Sequence, residues 1–146
     1  MFIGINDGAV IEYDGSSDLN NEIITYNYGV ISGITFANFR IYNNNANKGK
    51  FAPILNNYGT IYNVHFDELY MNGGDSRFVA GLVSSNWSNG IINECTIDDY
   101  TLYSVEYLNL ICTTSTGKVY NCNALNGSTI SGSLYGSGNN GGYDND

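Results

Sequence analysis

The sequence predicts an all-β fold, a right-handed parallel β-helix (β-solenoid) of about five coils. Three observations predict it. Helix signals are scarce, with one proline (Pro53) and no capping residue leading into an apolar stripe at helical spacing. The chain repeats itself: an apolar pair, then Asn or a small residue, then Gly followed by a β-branched residue. Within each short run, apolar residues fall at every second position, the period of a strand with one buried face.

The unit opens at Phe2 to Val10 and returns at Ile23 to Ile31, Ile54 to Ile61, Leu82 to Ile92 and Leu110 to Val119. The last four copies are anchored by Gly29, Gly59, Gly90 and Gly117, spaced 30, 31 and 27 residues apart. Aligned on these glycines, the second position holds Ile31, Ile61, Ile92 and Val119, and the fifth Ile34, Val64, Cys95 and Cys122. The seventh holds Phe36, Phe66, Ile97 and Ala124, the tenth Phe39, Leu69 and Tyr100, and the twelfth Ile41, Met71 and Leu102. Spacings of two within a run and three between runs describe short strands joined at corners. Each coil then buries its apolar columns on its neighbours, about 4.8 Å away.

The fourth position, Gly33, Asn63, Glu94 and Asn121, is a corner. Gly and Asn tolerate the left-handed backbone of a tight bend, and stacked Asn side chains can form a hydrogen-bonded ladder. Glu94 interrupts that series. An antiparallel β-sandwich also yields short strands with Gly and Asn turns, but it does not predict equal column contents every ~30 residues. The solenoid domain is assigned to residues 1–131. Residues 132–146, rich in Gly, Asn, Ser and Asp, read as a flexible tail or linker.

With 146 residues the chain suits one domain. Fourteen acids against five bases give a net charge of -9, the wrong sign for a nucleic-acid-binding surface. No stretch approaches the ~18 apolar residues of a membrane span, and Met1 to Asp7 lacks the cationic and apolar regions of a signal peptide. Cys95, Cys112 and Cys122 lack Cys-x-x-Cys spacing and accompany one His, so no zinc-type ligand set is expected.

Ala80-Gly81-Leu82-Val83, followed by Asn86 and Gly90-Ile91-Ile92-Asn93, resembles the GLUG-type repeat of bacterial surface proteins. Ala52-Pro53-Ile54-Leu55 with Asn57, Gly59, Ile61 and Asn63 is a looser copy. The resemblance implies a scaffold with surface-interaction roles, like that of adhesins or of the β-helices in phage spikes and fibres. It supplies no catalytic residues.

Several polar and aromatic features are candidate sites. Eight and nine after the anchor lie Asp67 and Glu68 in one coil and Asp98 and Asp99 in the next, an expected acidic corner. Its readings are a solvated face, a Ca²⁺ site, or a carboxylate pair near the ~5 Å of a retaining glycosidase. His65 should point outward beside it. Cys95 and Cys122 share a core column, as a reduced stacked pair or a disulfide. Tyr28, Tyr58, Tyr62 and Tyr120 occupy outward positions, with Tyr42 and Tyr103 in a further one, and Trp87 lies on a longer turn. Such aromatics can stack on sugars or form an interface, or simply stiffen a sheet. Two polar loops, 43–50 and 72–77, bring Lys48, Lys50 and Arg77 near Arg40. Insertions of this kind gather on one face of a repeat protein.

The expected function is a non-enzymatic structural or interaction domain of a β-helical fibre or adhesin, at a cell surface or on a virion. It is expected to need no cofactor and to self-associate, as a trimer or end to end, or to continue into a longer chain. Glycan binding is the further expectation. The rival is a carbohydrate-active β-helix enzyme, a glycosidase or lyase, using Asp67, Asp98 and Asp99.

Overall fold

In the computed structural model, residues 2–3, 9–12, 19–20, 22–43, 49–74, 76, 78–104, 107–130, 133–134 and 142–143 are described. Their regular structure is entirely β, wound as a parallel solenoid of about four turns rather than five. Three circuits (residues 30–57, 60–86 and 91–115) visit all four sheets, while those before and after are partial among the described residues. No helix of the described chain is long and apolar enough to cross a membrane.

Four sheets form the walls, each built from one strand or broken strand per coil. The first stacks Ala9–Glu12, Val30–Ala37, Thr60–Asp67, Thr96–Asp98 and Cys122–Leu125. The second stacks Leu19–Asn20, Arg40–Tyr42, Tyr70–Asn72, Thr101–Tyr103 and Ser128–Ile130. The third contains Lys50–Phe51, Phe78–Ala80, Tyr107–Asn109 and Ser133–Leu134. The fourth contains Ile24–Asn27, Ile54–Asn57, Val83–Asn86 and Cys112–Ser115.

The register reproduces the sequence columns. Ile31 pairs with Ile61, Ile61 with Ile92 and Ile92 with Val119; all four are buried. Phe36 pairs with Phe66, their rings stacked 4.8 Å apart, a contact of about 0.5–1.5 kcal/mol beyond area burial. Ile41, Met71 and Leu102 line the second sheet without exposure. The third sheet adds Phe51, Val79 and Leu108 to the core, in a stretch whose strands are too short to show a period.

Both corners of the first sheet use left-handed backbone. At the expected one, Gly33, Asn63, Glu94 and Asn121 all have positive φ, between 50° and 63°. A second corner, at the ninth position, has Asn38, Glu68, Asp99 and Asn126 at 62°, 54°, 48° and 49°. The expected Asn ladder is not at either corner, because Asn63, Glu94 and Asn121 face solvent. It lies inside the solenoid, two to four residues before each anchor glycine.

There Asn27 Nδ2 donates to Asn57 Oδ1 at 2.7 Å, Asn57 Nδ2 to Asn86 Oδ1 at 2.8 Å, and Asn86 Nδ2 to Ser115 Oγ at 3.0 Å. Close approach of the coils explains two of the anchors. A Cβ at Gly90 would run into Asn86 Oδ1, and one at Gly59 into the Gly29 carbonyl.

Of residues 132–146, read from the sequence as a tail, two described pieces are strands. Ser133–Leu134 continues the third sheet, and Gly142–Tyr143 pairs antiparallel with Cys122 and Asn123 at the edge of the first.

Candidate functional site

Two groups of outward side chains stand apart from the core. One closes the end of the first sheet. His65 and Asp67 lie two apart on one strand, so both project from the same face, and Asp98 pairs with Asp67 in the next coil. A ligating atom from each of the three lies within 4.8 Å of the others, and all three residues are half-buried. Asp98 Oδ1 accepts from the Asp99 backbone N–H at 2.9 Å and from Asn126 Nδ2 at 2.9 Å.

Of the four acids read from the sequence as one corner, Asp67 and Asp98 meet the imidazole in this group. Glu68 and Asp99 fall outside the group because each occupies the left-handed corner residue, which turns its exposed side chain away from the strand face. The resulting set, one ring nitrogen and two carboxylates, matches three positions of a Zn²⁺- or Mn²⁺-type site better than the six to eight oxygens of Ca²⁺. The sequence contained the signal for it, since His65 and Asp67 share strand parity, but a search for zinc-type spacing along the chain overlooks ligands from two coils.

The second group runs along the corner after the fourth sheet. Tyr28 stacks on Tyr58 with ring centroids 5.0 Å apart, and Tyr58 on Trp87 at 5.5 Å with planes within 3°. Tyr26 flanks Tyr28 at 6.0 Å. Trp87 does not merely cover its own turn: its indole Nε1 donates to Asn56 Oδ1 at 3.1 Å, which locks the ring beneath Tyr58. Backbone bonding shows why it joins the file. The N–H groups of Tyr58, Trp87 and Thr116 donate to the carbonyls of Asn27, Asn57 and Asn86, the ladder residue one coil back in each case. Each is thus the residue that follows a ladder position, and glycine numbering hid the equivalence because the Trp87 turn is longer.

The other tyrosines do not form a second file. Tyr62 and Tyr120 are separated by Asn93, which pairs with both. Tyr42 and Tyr103 are separated by Asn72 in the same way. Tyr42 instead leans on Tyr70 at 5.6 Å, and Arg40 lies 4.7 Å above the Tyr70 ring. The Tyr42 hydrogen bond, more than burial, holds the Tyr70 phenol above its ordinary range.

Among the loop cations, Lys48 and Arg77 lie outside the described residues. Lys50 Nζ donates to Ser85 Oγ at 3.3 Å and to Thr114 Oγ1 at 3.1 Å, reaching across two coils of the fourth sheet. Ser85, Asn86, Trp87, Thr114 and Thr116 line an open cleft of about 200 Å³, including the solvent at its mouth.

The three cysteines are free thiols and buried. Burial raises the Cys95 thiol well above its usual range and pushes Cys112 up to about 12. Each donates to a backbone carbonyl, Asn93 at 3.2 Å and Thr114 at 3.2 Å respectively. These two protonated, enclosed sulfurs act as core hydrophobes, while the hydrogen bond from Cys95 lowers the Cys122 thiol.

No protein-family model, no curated protein and no solved structure matches this chain.

Proposed function

We propose that the chain is a non-enzymatic interaction domain of a surface-exposed or virion-associated β-solenoid, of the GLUG-like, adhesin or fibre kind, and that it binds glycan. The observation that carries this reading is the aromatic file. Tyr28 is 72% exposed and Trp87 43%, although each could have been a small residue without loss to the core. Flat, rigid, partly wet rings are the groups that hold the apolar face of a sugar while their polar edges bond its hydroxyls. Binding to a glycan array, lost in Trp87→Ala and kept in Tyr120→Ala, tests the reading. An array on which both variants behave alike overturns it.

Self-association belongs to the same proposal. Ile11 sits on the inward column above Phe36 yet is 37% exposed, and Val10 beside it is 61% exposed. A second copy, or further coils, would cover this apolar end. Light scattering over a concentration series tests it, and a mass that stays monomeric to high concentration counts against assembly.

The enzymatic reading has one observation in its favour, the approach of Asp67 to Asp98 beside His65. Turnover of neutral or acidic glycans, abolished in Asp98→Asn, would establish it over the binding role.

A further inference from the structure

We infer that the cleft beneath Trp87 is a subsite for a carboxylate-bearing sugar ring, a uronic acid within an acidic glycan. This rests on the glycan-binding reading above and names its site and ligand class. The aromatic file stops one coil before the end of the fourth sheet, whose edge strand is Cys112–Ser115. Tyr28, Tyr58 and Trp87 fill successive equivalent positions, and the next is Thr116, whose N–H bonds the Asn86 carbonyl as that of Trp87 bonds Asn57. The coil continues, because Ser115 completes the Asn ladder and Val119 the core. Only the ring is missing.

A small side chain in a ring-sized slot leaves the far face of Trp87 uncovered, and the cleft lies there, with Thr114 and Thr116 on its opposite side. The rings above are spaced 5.0 and 5.5 Å apart, so a pyranose ring stacked on Trp87 occupies the place a fourth aromatic would have taken.

A cation held against the walls decides the ligand's charge. Ser85, Thr114 and Thr116 offer hydroxyls, suited to a polyol edge. Lys50 delivers an ammonium to two of those hydroxyls, at 3.3 and 3.1 Å. It does so in a chain with only five Lys and Arg and a net charge of -9. An acidic ligand repelled by most of the surface is admitted where this cation stands, and a neutral ring gains nothing from it. Asn86 is committed to the ladder and contributes shape alone.

Trp87 is the chain's single tryptophan, so its emission reports the subsite directly. The intact chain is titrated with a galacturonic acid trisaccharide and, separately, with the neutral galactose trisaccharide. We expect the acidic probe to shift Trp87 emission and to bind at least tenfold more tightly than the neutral one at low salt. Lys50→Met should erase that preference, bringing acidic binding down at least tenfold to the level of the neutral probe. Thr116→Tyr should fill the slot, extend the file and abolish the response to both probes. Equal binding of the two probes, or an unchanged preference in Lys50→Met, overturns the acidic assignment while leaving the glycan reading standing. Undiminished binding in Thr116→Tyr, or array binding without any change in emission, moves the site elsewhere. No binding of any glycan removes the reading and the subsite together.

Discussion

Replacing Asn57 by alanine should cost the fold more than any comparable polar substitution. Asn57 has no solvent exposure and stands in the middle of the internal ladder. It accepts from Asn27 at 2.7 Å, donates to Asn86 at 2.8 Å, and donates to the Gly59 carbonyl at 3.1 Å. Truncation deletes these bonds and a 3.4 Å one to the Ile91 carbonyl, while the Asn27 amide keeps a 3.4 Å bond to the Thr60 carbonyl. A buried polar group deprived of its partner costs roughly 1–3 kcal/mol; Asn86 Oδ1 is the one left bare, so the loss is about that size, with a smaller addition from the weakened Asn27 amide. Against a typical total of about 5–15 kcal/mol, that is a large fraction. Urea unfolding followed by far-UV circular dichroism and Trp87 emission measures it, with the exposed Asn123→Ala as control, expected within about 0.5 kcal/mol of wild type. Asn57→Asp separates bonding from volume. Its carboxylate opposes Asn86 Oδ1 with no donor, so it should be at least as damaging at pH 7 and recover in acid, where the protonated form donates. If Asn57→Ala unfolds within about 1 kcal/mol of wild type, the ladder does not hold the coils together and the reasoning fails.

Three other outcomes are expected. The Cys112 thiol, pushed up to about 12 by burial, keeps its proton in the folded chain over a range where the unfolded thiol has lost it. Its stabilising effect is complete below about pH 9 and lost as pH rises through about 12. Urea midpoints from pH 8 to 11 should fall less steeply in Cys112→Ala, and parallel slopes would refute this. Glu94 holds φ at 52° at an exposed corner, so Glu94→Asn should stabilise by about 0.5–1 kcal/mol, because Asn tolerates that conformation better; an unchanged or lower melting temperature would contradict it. Deleting residues 135–146 removes the Gly142–Tyr143 strand from the edge of Cys122–Leu125. The uncovered edge should template association, visible as larger species by size exclusion with light scattering, and an unchanged profile would deny the segment a capping role.

The parts of this fold legible in the sequence are those that repeat at fixed distance from a glycine. The Ile31, Ile61, Ile92 and Val119 column is one, since a buried strand face demands apolar residues at period two and a solenoid demands them again each coil. The left-handed corner at Gly33, Asn63 and Asn121 is another, because those residue types answer a backbone requirement. Glu68 and Asp99 of the second corner share that backbone without the favoured residue type, so composition hid that corner. The third sheet was illegible because strands of two or three residues show no period, and the 43–50 loop before it differs in length from coil to coil. At the candidate sites, Tyr28, Tyr58 and Trp87 were visible as exposed aromatics but not as one file, since the longer turn at Trp87 breaks the count from the glycine. Lys50 was a loop cation in the sequence, and only the fold shows that it reaches Ser85 and Thr114.

Stacking in register copies each residue choice at the interstrand spacing of about 4.8 Å, and residue types respond to it in opposite ways. Asn is self-complementary, its amide donating to the coil on one side and accepting from the other. Aromatic rings attract one another at the spacings seen from Tyr28 to Trp87. Carboxylates oppose each other, so Asp67 above Asp98 gains nothing from stacking, although Asp98 accepts from the Asp99 N–H and Asn126 Nδ2. The aromatic file, conversely, breaks at Thr116, beside the edge strand of the fourth sheet, where the ladder also passes from Asn86 to Ser115. The two positions are separate, one at the end of the first sheet and one after the fourth. Each is a place where the residue present differs from the one stacking prefers, as Asn93 does between Tyr62 and Tyr120, and a bound ligand would reverse that preference. An unfavourable pair relieved by a cation and an interrupted file completed by a sugar ring make distinct claims. Divalent metal titrations should respond to His65→Ala and not to Thr116→Tyr, and sugar titrations should show the reverse.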